Sequence, residues 1–177
     1  MVVYNIYGKL KGFLIQFVLE FSFEYFSKTR GNMYTVKNIL DEKGREVWTI
    51  SPEAKVIDAL KLMADKTVGA LVVMYKDRVT GLFSERDYAR KVVLHGKSSI
   101  DTPVKEIMTF RVYCVSLDTP VEECMTLMTE KRVRHLPVVD KGKLIGLVSS
   151  GDVVKSIMSK QSNTLESLEN YIKGKYS

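Results

Sequence analysis

The chain writes one stretch twice. Gly81-Leu82-Phe83-Ser84-Glu85-Arg86-Asp87 returns as Gly146-Leu147-Val148-Ser149-Ser150-Gly151-Asp152, an offset of 65 residues, from 81 to 146. The same offset lays residues 49–95 on 114–160 without a gap, putting Ser51 on Ser116, Val56 on Val121, Leu71 on Leu136 and Val73 on Val138. Internal repetition constrains architecture before any local motif does. Two copies at this pitch specify a two-lobed module, because a solenoid needs at least three units to bury its faces.

Each copy carries the same succession of signals. Residues 47–50 and 112–115 are short and β-prone. Val56, Ala59, Leu60 and Met63 then fall at helical spacing, and Val121, Cys124, Met125 and Met128 carry the same stripe. Ser51-Pro52 offers a cap with proline at the first helical position, and Thr119-Pro120-Val121-Glu122 reads as a capping box. Residues 70–73 with 79–83, and 136–139 with 144–148, read as hairpins turning at Asp77-Arg78 and at Lys141-Gly142-Lys143. A second helix opens at Ser84 and at Ser149. Each unit is therefore β-α-β-β-α, giving an α/β (α+β) chain of two repeats.

Residues 34–40 resemble 104–108, and each is expected to be a short helical lead-in to its own repeat. The first copy holds three extra residues within 41–46. The expected division is an aromatic N-terminal helical extension at 1–33, a first repeat at 34–96, a linker at 97–103, a second repeat at 104–160 and a C-terminal helix at 161–177. Leu165, Leu168 and Ile172 share one face of that last helix. Within residues 1–32, Gln16, Glu20 and Glu24 interrupt the apolar run, so it falls short of the ~18 apolar residues a spanning helix needs. It reads as a docked helix or a dispensable extension ahead of Met33, with an interfacial membrane helix at residues 9–26 as the competing reading. Trp48, the single tryptophan, is expected at an edge or interface.

At 177 residues and 45% hydrophobic, the chain can bury one core or two small ones packed together. A net charge of +6 favours anionic partners without selecting one. Cys114 and Cys124 lack C-x-x-C spacing, and with two histidines the sequence offers no metal-ligand cluster. Cys124 stands where Ala59 stands in the first copy, so it reads as a packed, reduced thiol. The expected location is cytoplasmic.

The repeated heptad carries the chemistry. Glycine at the end of a strand permits close approach of a ligand to the backbone. The serine three residues on caps the next helix, whose first N–H groups and dipole favour a phosphate. The aspartate lies on the same turn and suits a ribose diol. Ser-x-x-Asp is also an ordinary capping pattern that needs no ligand. Its recurrence at a fixed pitch, each time behind Gly-apolar-x, favours the ligand reading.

These heptads resemble the G-h-x-[ST]-x-x-D nucleotide signature of CBS domains, the small modules named after cystathionine β-synthase. Ser84-Glu85-Arg86-Asp87 and Val133-Arg134-His135-Leu136-Pro137-Val138-Val139 are similar to segments of short stand-alone CBS pairs, called Bateman modules. The resemblance spans about residues 34–160. It implies two repeats related by a pseudo-twofold axis, adenine nucleotides or adenosyl ligands in the clefts between them, and homodimers. Carried over by residue, it implies that Asp87 and Asp152 hold ribose and that Ser84 and Ser149 contact phosphate. Ile50, Val115, Val68 and Val133 would border the base. Before the second strand, Gly69-Ala70 offers only backbone, whereas Arg134-His135 offers a guanidinium and an imidazole. Arg86 against Gly151 is the opposite asymmetry, so the two clefts are expected to differ.

The expected function is a non-enzymatic regulatory sensor, for instance of energy state. It would bind AMP, ADP or ATP, with NADH and S-adenosylmethionine as alternatives, and relay occupancy to a protein target. No catalytic residue, catalytic cofactor or metal is expected. Inosine monophosphate dehydrogenase carries an inserted CBS pair, but this chain has no room for the additional (β/α)₈ barrel of ~250 residues. Two other classes compete: nucleic-acid binding through Arg78, Arg90, Lys91, Lys131, Arg132 and Lys143, and membrane association through residues 9–26.

Overall fold

The computed structural model describes residues 33–159. The aromatic extension with its proposed helix at 9–26, and the C-terminal helix at 161–177, lie outside those residues. In chain order the elements are α1 (Val36–Lys43), β1 (Thr49–Ile50), α2 (Val56–Lys66), β2 (Ala70–Tyr75), β3 (Arg78–Ser84) and α3 (Glu85–Lys91). Two 3₁₀ turns, Val93–His95 and Val104–Glu106, precede α4 (Val121–Lys131), β4 (His135–Asp140) and β5 (Lys143–Ser149). A last helix, α5, covers residues 150–159.

The first sheet has the order β1-β2-β3, with β1 parallel and β3 antiparallel to β2, and the second is the β4-β5 hairpin. Both hairpins slip register at the same place, at Val73/Met74 and Val138/Val139. Their turns are two-residue loops with both φ values positive, Lys76-Asp77 in the first and Lys141-Gly142 in the second. That geometry matches the twist of paired strands, and it sets the first turn one residue earlier than expected. The expected strand at 112–115 shrinks to a single bridge, Val115 with Val138. The cause is one residue. In the first copy Val72 donates its N–H to Trp48 O at 3.2 Å. Its counterpart is Pro137, which has no N–H to donate.

The helix starts also differ from expectation. Ser51-Pro52 makes a turn, Ser51 Oγ accepting from Glu53 N at 3.3 Å, and α2 begins at Val56 behind Lys55. Thr119 Oγ1 bonds back to Ser116 N at 3.0 Å, and Pro120 takes the N-cap position of α4 without a side-chain cap. Side-chain caps are replaced by backbone from elsewhere: Val56 N donates to Thr102 O at 3.0 Å and Val121 N to Tyr34 O at 3.0 Å.

Those two bonds expose the principal departure from the sequence reading. Each lead-in serves the other repeat. Val36 N and Lys37 N bond Thr119 O and Leu117 O, both at 2.9 Å, while Val104 N and Lys105 N bond Ala54 O and Pro52 O at 2.8 and 2.9 Å. The side chains follow. Val36, Ile39 and Leu40 join the core of Val121, Cys124, Met128, Leu136, Val138, Val148 and Val153. Val104, Ile107 and Met108 join that of Val56, Ala59, Met63, Leu71, Val73, Phe83 and Val92. Fully burying each such side chain contributes roughly 1.5–3 kcal/mol. Met125, expected on the buried stripe of α4, is exposed. Trp48 is half-buried against the first core, with Lys66 Nζ 4.1 Å from its ring centre.

Candidate functional site

The exchanged lead-ins explain the heptad glycines. A Cβ on Gly81 would stand 2.5 Å from Met108 Sδ, and one on Gly146 would stand 2.5 Å from Leu40 Cδ1. The close approach these glycines permit is thus of a buried side chain from the other lead-in, where the sequence reading placed a ligand.

The serines and aspartates cap their helices. Ser84 N and Oγ both donate to Asp87 Oδ2, at 3.1 and 2.6 Å, and Asp87 N donates to Ser84 Oγ at 3.3 Å. Ser149 N and Oγ donate to Asp152 Oδ2 at 2.7 and 2.8 Å, with Asp152 N returning to Ser149 Oγ at 3.3 Å. The first N–H of each helix is taken too, Glu85 N by Gly69 O at 3.2 Å and Ser150 N by Arg134 O at 2.9 Å. Two of the three first-turn donors are therefore satisfied internally, so an anion here must rely mainly on side chains.

Those side chains are present on one side of the molecule. A cleft between the repeats is lined by Leu82, Ser84, Arg86 and Asp87 from the first copy and by Arg132, Val133, Arg134 and His135 from the second. The segment after the second lead-in closes it with Thr109, Arg111, Val112 and Tyr113. Four arginines thus line the cleft beside one carboxylate, and that carboxylate is already paired. Asp87 Oδ1 accepts Thr109 Oγ1 at 3.0 Å and pairs with Lys91 Nζ at 2.7 Å. Lys91 also donates to Ile107 O at 2.8 Å, tying α3 to the incoming lead-in. Arg86 reaches across the cleft to Arg132 O at 3.4 Å. Burial pulls His135 below its ordinary pKa, the charges of Arg134, Lys43 and Arg86 act the same way, and Asp152 opposes them.

Of the sequence candidates, the structure brings together Ser84, Arg86, Asp87, Val133, Arg134 and His135. Ile50, Val68, Gly69, Ala70, Val115, Ser149 and Asp152 do not line this cleft. Val115 belongs to the second core, and Ile50 and Val68 pack on the first. Gly69 faces Glu85, whose Oε2 would lie 3.4 Å from an added Cβ. Asp152 instead meets Lys43 Nζ of α1 at 2.6 Å. Burial pushes the Asp152 carboxyl up, but hydrogen bonds from Lys43 and Ser149 outweigh it and hold it below the ordinary value. The sequence reading missed Arg111, Tyr113, Lys43 and the role of Lys91. Lys91 is i+4 from Asp87, a spacing that signals an ion pair. Lys43 falls among the first copy's extra residues and Arg111 aligns with their edge, while Tyr113 stands opposite Trp48, which was read only as an edge or interface residue.

Among the described residues no group of three or more His, Cys, Asp or Glu could hold a metal, and no helix is long and apolar enough to cross a membrane.

The family model for the CBS domain matches residues 36–94 and 104–159. The chain is 37% identical over 152 residues to the mitochondrial CBS domain-containing protein CBSX3 of Arabidopsis thaliana, covering 80% of this chain and 73% of that one. The solved structure of a putative signal-transduction protein with CBS domains from Burkholderia ambifaria shares 53% identity at a TM-score of 0.70, over 72% of this chain and 96% of that one. A CBS domain pair solved with 5′-methylthioadenosine and S-adenosyl-L-methionine shares the fold, at 24% identity and a TM-score of 0.65, over 73% of this chain and 99% of that one. With two matched repeats, a mixed α/β architecture and relatives of the same build, the chain belongs to the CBS domain family as a tandem pair.

Proposed function

We propose that this pair is a non-enzymatic regulatory module that binds an adenine nucleotide in the cleft lined by Arg86, Arg111, Arg132 and Arg134. The carrying observation is the composition of that cleft: four arginines among its lining residues, beside a carboxylate already held by Lys91 and Thr109. Guanidinium forks suit phosphate oxygens. The half-buried Val112 and the exposed Tyr113, lining the cleft with Val133, offer an apolar wall for a base. The methylthioadenosine and S-adenosylmethionine held by the related pair support an adenosyl ligand as a class. The excess positive charge favours its phosphorylated members, ATP above AMP, over a ligand bearing a sulfonium. Ligand binding that joins Arg86 of one repeat to Arg134 of the other biases the geometry of the pair, and a protein partner reads the change. The assembly would be a homodimer in a reducing compartment, where Cys114 and Cys124 stay as the free thiols the structure shows.

Thermal denaturation with AMP, ADP, ATP, NADH and S-adenosylmethionine in turn tests this. Ligand at 100 times its dissociation constant adds ~2.7 kcal/mol, a rise of roughly 5–10 °C. The expected order is ATP first and S-adenosylmethionine last, with Arg134→Ala and Arg111→Ala each reducing the ATP response. A chain whose melting is unmoved by every adenine nucleotide would sink the proposal.

A further inference from the structure

At the turn ends of the hairpins the two repeats leave a second, open groove of about 520 Å³. That volume lies within the ~300–1,000 Å³ of small-molecule sites. Val47, Met74 and Leu144 supply its apolar lining, and Arg45, Asp77 and Lys143 its charges. None of these residues lines the cleft of four arginines. Both hairpins slip register beside the groove. Met74 is the first residue past the slip in β2, and Leu144 pairs with Val139, the first past the slip in β4. A bulge re-aims the side chains next to it, and here one aliphatic residue beside each slip lines the same groove.

The charges are divided between the repeats. Asp77 sits in the first turn with φ at 61°, and Lys143 opens β5. Among the described residues neither has an ion pair or a side-chain hydrogen bond. The neighbouring cations are engaged elsewhere: Arg45 pairs with Asp41 at 3.1 Å, and Lys76 Nζ stands 5.3 Å from the Tyr75 ring centre. An ionised carboxylate only accepts hydrogen bonds and an ammonium only donates them. A simple anion would suit Lys143 and be repelled by Asp77, and a simple cation the reverse. A small molecule carrying both charges on an aliphatic body satisfies the whole lining.

We propose that this groove is a separate ligand site for a free α-amino acid with an aliphatic side chain. The ligand's carboxylate meets Lys143, its ammonium meets Asp77, and its side chain lies among Val47, Met74 and Leu144. Because Asp77 belongs to the first repeat and Lys143 to the second, the ligand ties the hairpin ends together. The site stands apart from the nucleotide reading and does not depend on it.

The test is calorimetric titration of the full chain with three probes: L-leucine, 4-methylpentanoate, which lacks the ammonium, and L-leucinamide, which lacks the carboxylate. The parent is compared with Asp77→Asn and Lys143→Gln. Both positions are exposed, and asparagine tolerates the positive φ of the turn. L-Leucine should bind the parent at least roughly 10-fold tighter than either analogue. Asp77→Asn should weaken L-leucine by about 10-fold and leave 4-methylpentanoate unchanged, while Lys143→Gln should weaken L-leucine and leave L-leucinamide unchanged. ATP affinity should stay the same in both variants. No binding of L-leucine, equal binding of 4-methylpentanoate, or variants that bind L-leucine like the parent would each overturn the proposal.

Discussion

Leu40 and Gly146 touch across the two repeats: the leucine's branched end fills the space a β-carbon on the glycine would take. Met108 does the same over Gly81. Neither glycine has a positive φ, so both are required by packing and not by backbone conformation.

Alanine at either position is therefore expected to destabilise the fold by overpacking, by roughly 1–3 kcal/mol. Gly146→Ala should cost more than Gly81→Ala. Leu40 is branched and almost fully buried, whereas Met108 is unbranched and adapts more readily. Chemical denaturation of the two variants checks the order. Trimming Leu40 to Ala in the Gly146→Ala background should recover less than the full loss, since it leaves its own cavity.

Asp87→Ala should lower stability more than Asp152→Ala. The first removes an acceptor serving Ser84, Thr109 and Lys91 in a buried setting. The second releases Ser149 and a lysine that reaches water. A loss of roughly 1–3 kcal/mol is expected for Asp87→Ala and less for Asp152→Ala. Equal losses by denaturant titration would show that the lead-in contacts of Asp87 contribute nothing.

Acidification acts through His135. Burial and the nearby cations lower its pKa from the ordinary 6.5, so the folded chain keeps a neutral imidazole where the unfolded chain takes a proton. The stability from this group is present above pH 6.5 and is lost as pH falls through the depressed folded value. A bound polyanion offsets the cations and favours the imidazolium, so nucleotide affinity should rise between pH 7.5 and 6. His135→Gln should flatten both trends, measured as melting temperature and as dissociation constant against pH.

The thiols should separate by reactivity. Burial pushes Cys124 up to about 11, helped by the charge of Glu123, and burial also raises the exposed Cys114. Alkylation at pH 7.5 should modify Cys114 slowly and leave Cys124 untouched until denaturant is added, as mass spectrometry would record.

Much of this fold was legible from the 65-residue offset. The hairpins, α2, α4 and the helices opening at Ser84 and Ser149 follow from local signals. So does the burial of Cys124, which fills an alanine slot. The reading failed where a segment's partner lies far along the chain. Nothing near Tyr34 announces that α1 seals the second core, because a hydrophobic stripe does not name the surface it will meet. The same blindness made Ser51 and Thr119 look like helix caps. Their helices start later, since carbonyls at Tyr34 and Thr102 satisfy the first amides. At the cleft, Ser84, Asp87 and Arg134 were visible through the repeat. Arg111 was not, because it falls at the edge of the three-residue insertion that breaks the alignment, and Tyr113, opposite Trp48, belongs to no motif that points to a ligand.

The crossed lead-ins carry a consequence for dissection. A chain severed between residues 97 and 103 yields two halves, each retaining the wedge that fits its sister and lacking the one that fits itself. Expressed apart, such halves should behave as molten, self-associating species. Mixed, they should complement one another into a single nicked molecule that melts as one unit.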